Sequence, residues 1–594
     1  MVSIANLKYK DALQTNGSGP FCQLLALQLI LLPASLMVIT VLAFWLTLPI
    51  TAFHFLLAVL VTIGVSFLPV KKKKILNFPE KVKNSRFLMI TAAFLLLILI
   101  GLFLSMGAYD FSQDGQAYHQ PAVIALAKGW NPFYQPFIEK HNPLYKNALK
   151  GNEIYVNHYP KASWITAACV YRLTGSLESG KLFNFLLLAA AFLITWNFLS
   201  HFSRIPRKSK VIVAALTAMN PVALYQLFSF YNDTQLASLT TITIILAFHY
   251  IIFREEKAPV YLSITLLTLS HIKFTGLVYG VVITAVAWLA VFIIDKDRQT
   301  RFIKMMVPVF LMAVVILGYQ PYITNLVYKG NPFYPAVRTG GETNTAVKTV
   351  IGKQAPKAFM EKDRFSKLFY SLFSKSDYRL AQMPQLKIPF SIADSEMRTF
   401  NTVDARYGGF GPLFGSVLLL VLGTAVFVLF NARRLVLLFT FIPVAVILIS
   451  SFVNPEAWWA RLTPQLWLLP IIFITAFYYI PRDNFGVYAR RFALSILLLN
   501  SLLMVTKHAG HSLTLTARFK SQMAELTRET RQKDSVVLVY PGTFYLSVQN
   551  RLNHFDIRHR MVKTLKSKKK TGKDFGPVFR LVGTPNAKIC IQRR

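Results

Sequence analysis

Cysteine and acidic side chains are what this chain of 594 residues has least of: three Cys, and 26 Asp and Glu against 65 Lys and Arg. Cys22, Cys169 and Cys590 show no CxxC or Cys/His spacing, which leaves both a disulfide framework and a zinc site unsupported. No P-loop, no GxGxxG after a strand and no GxSxG elbow occurs, so nucleotide-driven transport and serine hydrolysis lose their usual signatures. The formal charge of +39 comes without any DNA- or RNA-binding motif, and no nucleic-acid partner is expected. Charge as such is also sparse, at 15%, whereas 54% of residues are hydrophobic and 48 are Phe. With a mean hydropathy of +0.44, the chain reads as an all-α polytopic membrane protein. The first apolar run, beginning near Phe21, leads into a second without a small-residue cleavage site and reads as a retained span.

Short cytoplasmic loops collect Lys and Arg, and basic clusters fall in the connections at 71–74, 204–210, 254–257, 296–304, 433–434 and 482–491. Placing all six inside predicts about 13 spans, with the N-terminus in and the C-terminus out. One stretch strains this path. Before His271 and Lys273 the run starting at Pro259 has only about 12 apolar residues, or about 18 Å of helix, too short to cross. Either the hairpin turns within the membrane, with Lys273 facing a protein cavity, or the span count is off by one. A cation at that depth marks function when paired and otherwise snorkels to the interface.

Three parts follow: an N-terminal cytoplasmic segment with an extra apolar hairpin (1–86), a transmembrane module (87–506) with external loops at 107–180 and 324–411, and a basic extracytoplasmic α/β tail (507–594). The tail contains a β-like run at 535–540 that ends in Pro-Gly, a sheet-and-turn signature. Its positive charge suits anionic lipid headgroups or an acidic glycan, though a solvated basic surface explains it as well.

The sequence DFSQDGQAYHQ at 110–120 follows the uncharged run 87–106 directly and sets Asp110 and Asp114 where a span meets water. If the helix continues, their i,i+4 spacing puts both carboxylates on one face, where mutual repulsion raises one pKa as a general base requires; in a loop it does not. Tyr118 and His119 follow at once. Further polar clusters recur at outer span ends: His158 and Lys161, Asn232 and Asp233, His271 and Lys273, Arg338, Arg406 beside Asp404, and Glu456, Trp459 and Arg461. The cations could hold a phosphate or diphosphate, Arg by a planar fork and Lys as a point charge. Each has a plainer reading too: a helix cap for Asp233, an aromatic belt for Trp458 and Trp459, loop hydration for His158 and Lys161.

Taken together, the acidic motif at 110–120 and the phrases HYPKA at 158–162, FYNDTQ at 230–235, GNPFYP at 330–335 and NPEAWWARLTPQLWLLP at 454–470 resemble the GT-C superfamily of integral-membrane glycosyltransferases, which includes protein mannosyltransferases, aminoarabinose transferases and oligosaccharyltransferases. The resemblance spans residues 87–480. It implies a polyprenyl-phosphate sugar donor, inversion at the anomeric carbon, an acceptor in a cell-envelope glycan or glycolipid, and a site on the outer face of a bacterial inner membrane. By matching position Asp114 or Asp110 is the implied base, Asp114 being favoured by its neighbours Gly115 to Gln120. Lys273, Arg338, Arg406 and Arg461 are implied partners of the departing phosphate. Two features depart from the family: the extra N-terminal hairpin, and an Asp pair separated by three residues rather than adjacent or in a DxD. No metal or other cofactor is therefore expected. The competing readings are an O-antigen-type polymerase or ligase, working through Arg338 and Arg406, and a lipid or glycan flippase; against the latter, no internal repeat is visible.

Overall fold

A computed structural model of the chain describes residues 20–67, 84–136, 152–336, 355–380, 383–432, 434–480, 484–532, 535–562, 575–584 and 586–592. Among these described residues it is mostly helical, and 7 helices are long and apolar enough to cross a membrane. Five shorter apolar helices accompany them, among them Ala258–Leu269, the leg too short to span.

Burial follows the helical repeat. In the helix Asn84–Met106 the side chains of Ile90, Phe94 and Ile98, four apart, are buried, whereas Leu88, Leu99 and Phe103 lie bare. One stripe faces protein and the rest suits lipid. Gly101 sets the closest approach, because a Cβ there would meet Leu182 Cδ1 at 2.7 Å in the helix Leu182–Ser200. The helix Asp233–Phe253 is enclosed on nearly all sides and forms the axis of the bundle, packed by Leu182–Ser200, Ala258–Leu269 and Phe274–Ile294.

The short leg stops at Leu269, and the chain turns through Ser270–Lys273 before Phe274–Ile294 begins. The turn is tight enough that a Cβ on Gly276 would meet the Leu269 carbonyl oxygen at 2.2 Å. Lys273 is thereby held in extended backbone (φ −160°, ψ 154°) at the broken junction, where its ammonium turns inward to a carboxylate. Lys273 is thus paired and turned inward, and does not snorkel outward.

The helix Asn484–Gln532 runs 49 residues without interruption, so the polar segment that begins at Lys507 continues the helix that the apolar segment starts. Beyond it, four strands form one small sheet: β1 (Val536–Tyr540), β2 (His559–Met561), β3 (Phe575–Arg580) and β4 (Lys588–Gln592), in the order β2-β1-β4-β3. β1 pairs parallel with β2 and antiparallel with β4, with Val537 opposite Ile591. β1 occupies the β-like run read from the sequence, and its inner residues Val537 and Val539 are fully buried. The helix Tyr545–His554, between β1 and β2, carries the sheet's contact to the acidic loop.

Candidate functional site

Asp110 and Asp114 do not share a helix face. The helix Asn84–Met106 ends before them, and regular structure resumes only at Gln113, passing through a short π-helical turn at Gly115–His119. Asp110 is 2% exposed and spends both carboxylate oxygens on backbone: Phe230 N–H donates to Oδ2 and Ser112 N–H to Oδ1, each at 2.8 Å. Its own N–H donates to Glu178 Oε2 at 3.1 Å, and that carboxylate pairs with Lys181 at 2.5 Å. Gly115 closes the loop over this knot, since a Cβ there would lie 2.1 Å from Asp110 Oδ2. Burial first and the nearby Glu178 second push the Asp110 carboxyl up, opposed by Lys181, the Ser112 side chain and the Phe230 N–H.

Asp114 faces the other way. Its side chain is 33% exposed, and Oδ2 accepts a hydrogen bond from Tyr118 Oη at 3.3 Å and lies 3.9 Å from Arg461 Nη2. Its backbone N–H donates to Tyr231 Oη at 3.4 Å. Burial raises its pKa most strongly; Arg461 opposes the rise and Asp404 adds to it. A carboxylate poised above the ordinary range, with an open side, can take a proton.

Arg461 ties this carboxylate to two more. Its Nε donates to Asp233 Oδ2 at 2.7 Å, and Nη1 lies 3.8 Å from Asp404 Oδ2. Asp233, fully buried, also receives Lys273 Nζ on Oδ1 at 2.6 Å. Asn232, not Asp233, occupies the N-cap position of the axial helix, and its amide is used on the Ile272 carbonyl at 2.8 Å. The Asp233 carboxylate is thus given to the ion pairs and not to capping. Arg406 pairs with Asp404 at 3.0 Å and lies 4.1 Å from the Trp459 ring centroid, while Trp459 Nε1 donates to Asp404 Oδ1 at 3.0 Å. Arg461 stacks over Tyr231 and Trp459 at 4.6 and 5.0 Å. Trp458 and Trp459 are both buried and parallel to one another, so they belong to this packing and not to a lipid-facing belt.

The remaining sequence-predicted residues border the cluster or lie apart from it. His119 is buried behind Tyr118, accepts the Trp164 indole N–H at 2.7 Å, and is held by burial, chiefly, at a pKa of about 3, hence neutral. Lys161 is buried over Trp130 and Trp164 and donates to the Asn157 and Tyr159 carbonyls, with burial pushing its ammonium well down. His158 bonds Asn325 Oδ1 at 2.7 Å. His271 turns back to the Leu267 carbonyl at 2.8 Å and packs on Tyr322. Glu456 accepts the Trp458 indole N–H. Arg338 lies outside the described residues.

Sequence reasoning passed over Glu178, Lys181 and Arg551. The first two carried a signal, an i,i+3 acid–base pair at the head of an apolar run. Arg551 carried none. From the helix Tyr545–His554 it donates to Gln116 Oε1 at 2.8 Å and to the Asp110 carbonyl, with its guanidinium 4.9 Å from the Phe111 ring centroid. Ser547 Oγ donates to the Gln116 carbonyl at 2.8 Å. The C-terminal segment therefore clamps the acidic loop from outside. Arg551→Ala would remove one of two donors from each of two buried acceptors, since Gln116 Oε1 keeps Thr584 Oγ1 and the Asp110 carbonyl keeps Gln120 Nε2, at about 0.5–1.5 kcal/mol each. A lower melting temperature is expected, together with a loss of activity approaching the about 10²-fold that a 1 Å misplacement can cause. Unchanged melting and activity in the purified variant would show that the clamp does not position the loop.

No protein-family model matches the chain, and no curated protein matches it. Among solved structures it is similar to the crystal structure of ArnT from Cupriavidus metallidurans bound to undecaprenyl phosphate, at 12% identity and a TM-score of 0.42, covering 80% of this chain and 86% of that one.

Proposed function

We propose that the protein is an inverting GT-C-type glycosyltransferase, akin to the protein mannosyltransferases and aminoarabinose transferases, with Asp114 as general base. The donor is a polyprenyl-phosphate sugar and the acceptor a hydroxyl of an envelope glycan or glycolipid. The observation that carries the reading is the junction of a partly exposed carboxylate with a buried guanidinium: Asp114 Oδ2 lies 3.9 Å from Arg461 Nη2, and Lys273 stands behind Arg461 on the shared partner Asp233.

Charge counting gives this junction a mechanism. The cluster holds three carboxylates (Asp114, Asp233, Asp404) and three cations (Lys273, Arg406, Arg461), and so is neutral with Asp114 ionised. As the acceptor oxygen attacks the anomeric carbon, its proton passes to Asp114 and the bond to the phosphate oxygen breaks. The cluster then carries one net positive charge as the leaving phosphate gains negative charge. Stabilisation that appears only as charge develops lowers the barrier and not merely KM. None of the cluster's ligands calls for a metal in this step, and no metal is proposed for it. Tyr118 and Tyr231, on either side of Asp114, are placed to orient it.

In the proposed topology about 13 crossings place this cluster outside a bacterial inner membrane. The basic tail beside the acidic loop, and anionic headgroups around it, are then near the acceptor. The test is to supply the purified protein with a synthetic polyprenyl-phosphate sugar and an envelope glycolipid extract, and to follow products by mass. An acceptor heavier by one sugar, with free polyprenyl phosphate released, is expected. Flux of the lipid across proteoliposomes without any covalent product overturns the reading in favour of a flippase, and addition of a whole oligosaccharide in favour of a polymerase or ligase.

A further inference from the structure

A second constellation lies at the other end of the axial helix. His249 is 16 residues from Asp233 on the same helix Asp233–Phe253, hence about 24 Å away along the axis. There His201, which follows the helix Leu182–Ser200, meets His249 and Glu255, from the connection beyond the axial helix; their ligand atoms all lie within 4.8 Å of one another. We propose that His201, His249 and Glu255 form a binding site for a divalent first-row transition metal, zinc being the best match, that ties three elements of the bundle together on the face opposite Asp114.

Four observations carry it. The donor set, two imidazoles and one carboxylate, is that of three-ligand zinc sites that leave a fourth position open. His201 Nδ1 donates to the Asn197 carbonyl at 2.9 Å, which fixes the tautomer and leaves Nε2 as a lone-pair donor, the outer-sphere bond that metal-ligating histidines make. His249 Nε2 is buried and lies 2.7 Å from Glu255 Oε2, so an imidazole nitrogen and a carboxylate oxygen from two elements already meet at one place. A cavity of about 20 Å³ adjoins, lined by Gln23, Asn197, Lys257 and Tyr261 as well as His249 and Glu255. That is room for one water as the fourth ligand. The rings of Phe198 and Phe253 pack on the imidazoles and hold them in place. Lys257, a cation on the cavity wall, opposes a bound cation, and its charge sets the affinity below that of the same donors alone.

The experiment uses the full, untagged chain in detergent, stripped with a chelator and dialysed against buffered zinc, then separately against cobalt(II). One zinc per chain, a rise in melting temperature on adding zinc, and the visible absorption of a four-coordinate cobalt site are expected. His249→Gln should weaken zinc by at least the about 10- to 100-fold that loss of even an outer-sphere partner costs, and should abolish the cobalt bands. If His249→Gln does not elute as a folded species, Glu255→Gln serves in its place, because it keeps both imidazoles and the shape of the side chain. Absence of stoichiometric zinc in the wild-type chain, or equal zinc affinity and cobalt spectrum in wild type and Glu255→Gln, overturns the proposal. Sugar transfer is not a readout, so the outcome stands apart from that of the proposed function.

Discussion

Asp114→Asn is expected to fold, insert and bind donor as the parent does, and to lose sugar transfer by about 10²- to 10⁴-fold, the range that a general base contributes. The amide keeps the shape of the side chain and can still accept from Tyr118, which bonds one oxygen only. What it loses is the ability to take a proton. The parent's pH profile provides an independent check. Burial raises the Asp114 pKa above the ordinary value of 3.8, against the pull of Arg461. A base must be unprotonated to act, so transfer by the parent falls as the pH drops through a value above the ordinary carboxylate range and is level above it. The residual rate of Asp114→Asn should lack that limb. Full transfer by the variant, or an acidic limb unchanged in it, would remove Asp114 from the role of base. Asp110→Asn makes the contrast: the amide NH₂ would meet the N–H of either Phe230 or Ser112, donor against donor. Its loss should appear first as instability of the loop and only through that as lost activity.

This difference between two aspartates four residues apart shows where sequence stops informing. Both stand just past an uncharged run of membrane-spanning length, and hydropathy places them alike. What separates them is the Phe230 N–H that takes one of Asp110's oxygens and the Arg461 that faces Asp114, partners 120 and 347 positions away in the chain (230 − 110; 461 − 114). The pairing of Lys273 was half legible. Twelve apolar residues cannot cross, so a broken hairpin with an inward cation was foreseeable, but that its partner is Asp233 depends on how the axial helix packs. Asp233 itself looked like a cap because capping is a local pattern, and the competing ion pairs come from Lys273 and Arg461. The continuity of Asn484–Gln532 was hidden for a different reason. Hydropathy falls at Lys507 while helix propensity does not, so a boundary in solvent is not a boundary in the backbone. The strand at Val536–Tyr540 was plain, because a run of β-branched residues closed by Pro-Gly admits few other structures.

Arg461→Ala should be the most damaging single change in the cluster, for stability and rate together. The guanidinium is 8% exposed and its Nε bond leaves Asp233, at 0%, one of its two cationic partners. Removing one member of a buried ion pair costs about 3–5 kcal/mol, because the remaining charge stays desolvated. Lys273 still holds the other oxygen of Asp233, so the lower part of that range is expected. The rate suffers separately, since the cation nearest Asp114 is also the one proposed to meet the developing phosphate charge. Two further variants divide these effects. Arg461→Lys keeps one charge but cannot span Asp233 and Asp404 with a planar fork, so it should recover much of the melting temperature and little of the rate. Asp233→Asn combined with Arg461→Met removes both partners of the buried pair. Its loss of stability should be smaller than the sum of the two single losses, by the coupling expected of residues in direct contact, about 0.5–3 kcal/mol. If Arg461→Lys instead restores transfer in proportion to stability, Arg461 is a strut of the fold, and the charge that meets the phosphate must come from Lys273 or Arg406.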